Sequence, residues 1–237
     1  IMPSLVGSEM CIRDRFKKRF ITLSELAPAL RKQIRYRVSG SENADDIAEG
    51  REQALAIVKG KSVEELKQAC REIVDNRMLQ KSYADTIELA SMHLAAGQQV
   101  WLVSATPVQI GQALAETLGF TGALGTVAEE EDGKFTGRLV GDILHGPGKK
   151  HAVAALAALQ QLDLSKCTAY SDSVNDLPML NMVGSPVAVN PDRALRKHAK
   201  AQGWAVRDYR SVRRVMRAGV VPAVLAAAGL WWWRRRR

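Results

Sequence analysis

The pattern of apolar and polar positions changes once along the chain, near Gln98. From Phe16 to Ala96 the apolar residues recur every three or four positions, which predicts helices throughout. Beyond Gln98, short apolar runs alternate with stretches of helical periodicity, as in parallel strands joined by right-handed crossovers. The pattern therefore predicts an α/β protein in which a helical region precedes a parallel sheet flanked by helices.

Two helices of the first region have clear end signals. Ser62 stands three residues before Glu65, the spacing of a capping box, and predicts a helix over 63–78. A second amphipathic helix is predicted over 83–96, and Gly97 ends it because glycine readily adopts the left-handed conformation of a helix C-cap.

The second region contains the strand signals. The run 126–141 predicts a hairpin that turns at Asp132-Gly133, a dipeptide suited to two-residue turns. The remaining strands are predicted over 100–103, 167–170, 186–189 and 204–206, and the helices over 108–118, 149–162, 177–183 and 192–202.

The net charge of +9 is concentrated at one end. The segment 193–237 has 13 lysines and arginines and one acidic residue, Asp208, whereas the rest has 21 basic against 24 acidic residues. A nucleic-acid-binding protein more often spreads basic and aromatic residues over a folded face, so we expect no nucleic-acid partner. A terminal basic segment next to an apolar run suits an anionic membrane surface better.

A basic and apolar C-terminal tail is predicted over 211–237, and its last twenty residues, Ala218–Arg237, are the candidate membrane contact. Sixteen uncharged residues end in three tryptophans, and four arginines follow. As a helix this run reaches only about 24 Å, short of the ~30 Å hydrocarbon core, so the pattern favours an interfacial anchor over a membrane span. The alternative is that this end of the sequence is an error.

Cysteine and histidine usage gives no sign of a disulfide framework or a zinc site. Cys11, Cys70 and Cys167 are far apart, and the four histidines are scattered. This usage is typical of a reducing compartment, and we expect a cytoplasmic protein whose tail contacts a membrane.

Four polar residues follow or flank the predicted strands: Ser104, Lys149, Asp172 and Asp176. Ligands of open parallel sheets bind at the carboxyl ends of the strands, where carboxylates are well placed to hold Mg²⁺ beside a phosphate. Each residue alone has a structural explanation, as a cap, a turn or a solvated helix start. Their order and spacing together favour one site for a phosphoryl group and a cation.

Three motifs carry a family resemblance. They are Val103-Ser104-Ala105-Thr106-Pro107, Gly148-Lys149, and the run from Tyr170 to Leu180, supported by the hairpin 132–137 and by 188–192. In this order they resemble the haloacid dehalogenase-like superfamily, in its phosphoserine-phosphatase-like branch. Ser171 stands where that family most often has glycine.

The resemblance implies a Rossmann-like core over 97–210, with Phe16–Ala96 as an all-helical cap. It implies Mg²⁺-dependent hydrolysis of a small phosphorylated metabolite through an aspartyl-phosphate. By position, Ser104 binds the phosphoryl group, Lys149 stabilises its charge and that of the nucleophile, and Asp172 and Asp176 hold the metal, Asp176 directly or through water.

One departure from the family is large. The family's nucleophile lies in an Asp-x-Asp motif on the first strand, and this sequence contains no Asp-x-Asp. The first fifteen residues resemble a translated sequencing adaptor and stand where that strand belongs. We therefore expect an artefactual leader over 1–15, a truncated and inactive phosphatase, and a sheet destabilised by its missing strand.

Two other interpretations remain open. The first is a non-catalytic module that binds a phosphorylated ligand and is tethered to a membrane by its tail. The second is a fragment of a cation-pump ATPase, which the position of the helical region and the lack of a nucleotide-binding insert disfavour.

Overall fold

The computed structural model describes residues 44–75 and 84–209, and within them the predicted α/β architecture is confirmed. The described part of the first region contains three helices, α1 (Ala44–Val58), α2 (Val63–Ile73) and α3 (Ala84–Ala95). The Ser62 hydroxyl accepts a hydrogen bond from the Glu65 amide at 3.4 Å, as the capping box predicts. The predicted leader 1–15 and the tail 211–237 lie outside the described residues.

The second region contains the strands and the helices that connect them. In chain order they are β1 (Trp101–Pro107), α4 (Val108–Leu118), β2 (Gly122–Thr126), β3 (Ala128–Glu131), β4 (Lys134–Leu139), α5 (Pro147–Leu159), β5 (Thr168–Ser171), α6 (Leu177–Leu180), β6 (Ser185–Val189), α7 (Arg193–Ala201) and β7 (Ala205–Arg207). Every element predicted here is present, with ends shifted by a few residues. Strand β2 was not predicted.

The strands form two parallel sheets and one hairpin. Strand β1 pairs with β2, and β5, β6 and β7 pair in that order, while β3 and β4 form the predicted antiparallel hairpin. Leu102 and Tyr170 belong to one hydrophobic cluster, whereas their neighbours Val103 and Ala169 belong to the other. Because alternate residues of a strand face opposite sides, β1 and β5 share one layer with a core on each face.

A cavity of about 360 Å³ lies between the beginnings of β1 and β5. Its walls include Val100 and Trp101 on one side and Thr168 and Tyr170 on the other, with Leu156 of α5 along its length. In the ranges that the structure describes, β1 pairs only with β2 and β5 only with β6. The two inner strands therefore have edges that none of these residues covers.

The link between α1 and α2 attaches the helical region to the hairpin. Gly60 donates its amide to the Phe135 carbonyl at 2.7 Å, and Phe135 donates in turn to Lys61 at 3.1 Å. The Val63 amide donates to Gly133 at 3.0 Å. These bonds accompany an isolated antiparallel bridge between Ser62 and Lys134, so the described part of the helical region is fixed to the hairpin. Over 44–75 and 84–209, no helix is both long and apolar enough to cross a bilayer.

Candidate active site

The candidate site is built where strands β1 and β5 end. Ser104 is the middle residue of β1 and follows the last regular pair of that strand, Val103 with Leu124, while Asp172 directly follows β5. In a parallel sheet the carboxyl ends of neighbouring strands meet at one edge, which is where the loops of α/β proteins bind their ligands. A 3₁₀ turn, Val174–Asp176, then brings the second carboxylate back towards the end of the sheet.

The pair formed by Lys149 and Asp176 is the centre of this edge. The Lys149 ammonium donates to both oxygens of the Asp176 carboxylate, at 2.7 Å to Oδ1 and 2.9 Å to Oδ2. The two residues are only 7% and 2% exposed. A buried charge is tolerated only when it is paired and hydrogen-bonded, and here each charge neutralises the other.

Ser171 completes this buried network. Its side chain is fully buried and donates a hydrogen bond to Asp176 Oδ2 at 2.7 Å. Ser171 Oγ also accepts a hydrogen bond from the amide of Ser173 at 3.2 Å, so this hydroxyl both donates and accepts. In the sequence alone, Ser171 stands out only as a departure from the family's glycine. A small polar residue at a strand end, five positions before a buried carboxylate, was the available signal.

The loop that carries Asp172 and Asp176 is held from the far side by Asp192. Its Oδ2 accepts the amide of Val174 at 2.8 Å, while its Oδ1 accepts the amide of Leu195 and so caps α7. The Asp192 amide donates to the main-chain oxygen of Asp172 at 2.8 Å. Asp192 therefore fixes the backbone between the two candidate metal ligands, a role that the sequence analysis did not assign.

Ser104 has the geometry of a hydrogen-bond donor to a ligand. Its oxygen accepts two hydrogen bonds from Thr106, from the amide at 3.2 Å and from the hydroxyl at 3.0 Å. Because a serine hydroxyl has one hydrogen and two lone pairs, its own hydrogen remains for donation. Thr106 thus orients Ser104, and a phosphoryl oxygen is the kind of acceptor that this arrangement suits.

The loop ahead of Lys149 meets the loop ahead of Asp176. Gly146 has φ +48°, a conformation that favours glycine, and begins helix α5. A Cβ at Gly146 would lie 3.6 Å from the carbonyl oxygen of Asn175. The structure thus joins Lys149 and Asp176 directly and places the loops that carry them side by side.

The two aspartates fit the oxygen chemistry of Mg²⁺, which takes one or two carboxylates and completes its shell with water and substrate phosphate. Over the described residues there is no group of three or more acidic, histidine or cysteine side chains that could hold a metal by itself. Both oxygens of Asp176 already accept hydrogen bonds. This arrangement suits Asp176 as a ligand through water.

Tyr170 lies on the opposite face of β5 from Ser171. Its hydroxyl forms a hydrogen bond with His93 Nε2 at 2.6 Å, and the two rings meet edge to face. Burial of the Tyr170 ring raises the pKa of its phenol above the ordinary value of 10.0. At neutral pH this residue is therefore an uncharged link between strand β5 and helix α3.

Comparisons with known proteins by family model, by sequence and by structure all find similarity to hydrolases of one family. A family model for haloacid dehalogenase-like hydrolases matches residues 5–181. The chain is 51% identical over 213 residues to phosphoserine phosphatase SerB1 of Mycobacterium tuberculosis, covering 90% of this chain and 69% of that protein.

Solved structures share the fold. A protein of unknown function from Bordetella pertussis superposes with a TM-score of 0.71 at 29% identity, over 83% of this chain and 88% of that one. A phosphoserine phosphatase in its apo form superposes with a TM-score of 0.58 over 90% of this chain and 92% of that one. Its 19% identity supports the fold alone.

Proposed function

The chain belongs to the haloacid dehalogenase-like hydrolase family, and from this membership we propose that its site serves Mg²⁺-dependent hydrolysis of a phosphomonoester. The observation that carries the proposal is the buried contact between Lys149 and Asp176 at the carboxyl ends of the strands. Phosphoryl transfer depends mainly on positioning and on neutralising charge, and this edge of the sheet offers both.

Each residue of the site has a proposed role. Ser104 donates its remaining hydrogen to a phosphoryl oxygen, and Lys149 supplies positive charge to the same group. Asp172 holds Mg²⁺, and Asp176 supports the metal while it keeps Lys149 in place. When bound, the metal neutralises phosphoryl charge and orients the group for attack.

The nucleophile is the part of the mechanism that this sequence does not contain. An aspartyl-phosphate mechanism needs an acceptor carboxylate and a general acid or base nearby, and no Asp-x-Asp motif occurs in the 237 residues. We propose that the chain as printed is inactive for this reason. The edges of β1 and β5 that no described residue covers support the proposal that a strand with the motif belongs between them.

Phosphoserine is the proposed first substrate to test. The relative that is 51% identical carries the name phosphoserine phosphatase, and the identity extends over 90% of this chain. The helical region is the proposed source of substrate selection, because it precedes the core and is fixed to the hairpin near it.

The decisive experiment compares two versions of the protein in one assay. The first is the printed chain, and the second has, ahead of Phe16, an apolar strand that ends in Asp-x-Asp-x-Thr. We expect only the extended protein to release phosphate from p-nitrophenyl phosphate and from phosphoserine, and only with Mg²⁺ present. Asp172→Asn in the extended protein serves as the matched inactive variant.

Two results would contradict the proposal. An extended protein that is folded by circular dichroism yet releases no phosphate from either compound argues against the hydrolase. Phosphate release that is unchanged by Asp172→Asn, or by removal of Mg²⁺ with EDTA, argues against the metal site.

A second candidate function is a non-catalytic module that binds a phosphorylated ligand, and the missing Asp-x-Asp favours it. The genomic DNA upstream of the Phe16 codon separates the two candidates. An in-frame Asp-x-Asp-x-Thr there supports the enzyme, whereas a start codon without the motif supports the module.

Membrane contact through Ala218–Arg237 is a separate proposal, based on the tryptophans and arginines of that segment. Deleting the segment should move the protein from the pellet to the supernatant when it is centrifuged with anionic liposomes at low salt. Equal sedimentation of both proteins would exclude the anchor.

A further inference from the structure

Thr126, the last residue of β2, joins two segments that the site needs. Its hydroxyl donates to the carbonyl oxygen of Ala105 at 2.9 Å and accepts the amide of Leu144 at 3.1 Å. Ala105 directly follows Ser104, and Leu144 lies in the loop that leads to Lys149. A single side chain thus connects the backbone around the two proposed phosphate-binding groups.

The backbone around Ser104 needs this support because the pairing of β1 with β2 is irregular there. Val103 pairs with Leu124 and Pro107 with Thr126, so three residues of β1 stand opposite one residue of β2. A bulge of this kind interrupts the ladder and leaves carbonyl groups to find other partners. The Thr126 hydroxyl provides the partner for Ala105.

The loop on the other side transmits its position to Lys149. A Cβ on Gly148 would approach the carbonyl oxygen of Ile143 to 2.5 Å, so the loop is folded tightly against the start of α5. The Val140 amide donates to Val127 at 2.9 Å and holds the beginning of the loop. A shift at Leu144 therefore displaces Lys149, because the loop between them is tightly packed and has little conformational freedom.

We propose that Thr126 is a positioning residue that sets the separation between the Ser104 hydroxyl and the Lys149 ammonium, and thereby the affinity of the site for phosphate. The inference rests on the proposed function, which assigns both groups to the phosphoryl group. The inference goes beyond that function because it names a residue outside the family motifs that connects the motif of Ser104 with the motif of Lys149. Thr126 acts through the backbone of its two partners and does not touch the ligand.

Thr126→Val tests the inference in the full chain, because valine keeps the branched shape and removes both hydrogen bonds. Amide hydrogen exchange should become faster in peptides covering 102–107 and 140–149. The dissociation constant of orthophosphate, measured by calorimetry with Mg²⁺, should rise roughly tenfold, as expected for the loss of about one hydrogen bond's free energy. Thr126→Ser should restore both readouts.

The matched control is Thr117→Val. The Thr117 hydroxyl also donates to a carbonyl, that of Ala113, at 2.8 Å, but it lies in α4. This control should leave phosphate affinity and exchange in both peptides unchanged. An equal loss in the control and in Thr126→Val would mean general destabilisation and would overturn the inference.

The two readouts separate the possible failures. Unchanged exchange in Thr126→Val would show that the hydroxyl does not hold the two segments. Faster exchange with unchanged phosphate affinity would overturn the positioning role alone. An unsubstituted chain that binds no phosphate would refute both the proposed phosphate site and the positioning role, while the exchange data would still decide whether Thr126 joins the two segments.

Discussion

At the scale of single residues, the buried pair of Lys149 and Asp176 is the contact whose disruption should lower the free energy of unfolding most. Both charges are almost fully buried, and the Ser171 hydroxyl is the third member of the network. Removing one partner of such a pair leaves an uncompensated charge, whereas removing both leaves none. The same contact that the proposed chemistry uses is therefore a condition for a stable fold.

Lys149→Met should lower the free energy of unfolding by about 3–5 kcal/mol, because the Asp176 carboxylate stays buried without its cation. The double variant Lys149→Met/Asp176→Asn should recover most of this loss, since no charge remains to be neutralised. Urea denaturation followed by circular dichroism measures the free energy of unfolding of both variants. A loss below about 1 kcal/mol in the single variant would show that water reaches the carboxylate.

Tyr170 gives a prediction about pH. Its pKa in the folded state is raised above the ordinary 10.0 by burial, so the unfolded chain loses this proton at lower pH than the folded one. The stabilisation by the neutral phenol is complete below pH 10.0 and is lost as pH rises through the folded pKa.

Tyr170→Phe should therefore reduce the decline in stability measured by urea denaturation between about pH 9 and 11. At neutral pH the same variant should be less stable by about 1 kcal/mol, because the hydrogen bond to His93 is lost. Parallel stability curves for the two proteins over the alkaline range would contradict the first expectation.

At the scale of elements, local signals predicted all of the core but one strand. Strand β2 has the sequence Gly-Ala-Leu-Gly-Thr, and glycine and alanine are depleted in strands. Its glycines are required by tertiary contacts. A Cβ at Gly122 would fall 2.5 Å from the Trp101 ring, and one at Gly125 would fall 2.5 Å from the backbone of Val108. These close approaches have no local signal in the sequence.

Helix α7 depends on a cap that also serves the candidate site. Asp192→Ala should cost about 2 kcal/mol, because the variant loses the cap of α7 and leaves the Val174 amide without its acceptor. Asp192→Asn should retain part of the cap of α7 and part of the hydrogen bond from the Val174 amide. Thermal unfolding of the three proteins measures the order of stability.

Asp163→Ala is the control for the cap at Asp192, because Asp163 also accepts a backbone amide, from Ser165 at 3.0 Å, but at an exposed 3₁₀ turn. The loss of stability in Asp163→Ala should be clearly smaller than that in Asp192→Ala. Equal losses at the two positions would mean that Asp192 contributes as a cap only and does not support the loop before it.

At the scale of the whole molecule, the two parallel sheets share one layer and two cores but do not pair with each other. The cavity of about 360 Å³ lies between their inner strands and has apolar walls from α5. Among residues 44–75 and 84–209 the inner edges of β1 and β5 have no strand partner, and backbone groups without partners and apolar atoms without contacts reduce stability.

The extended protein designed above should therefore be more stable than the printed chain. We expect a gain in the free energy of unfolding of at least about 2 kcal/mol, from apolar burial and new ladder bonds. A version with the same added residues in scrambled order is the control. An equal melting temperature for the ordered and scrambled extensions would argue against strand insertion.

The sequence by itself determined the order of the elements, most helix ends and the motifs of the site. These depend on short-range physics: apolar periodicity, a capping serine at Ser62, a turn at Asp132-Gly133 and a left-handed glycine at Gly97. Each signal acts within a few residues, so one sequence suffices to recognise it.

Only the tertiary structure decided how the residues of the site meet. Lys149 and Asp176 are 27 positions apart, and their contact exists because helix α5 and the loop after β5 pack together. The hydrogen bonds of Ser171, Asp192 and Thr126 likewise join distant segments or depend on a buried position. The energy of such contacts comes from burial and from the exclusion of water, which depend on the whole fold and leave no local pattern in the chain.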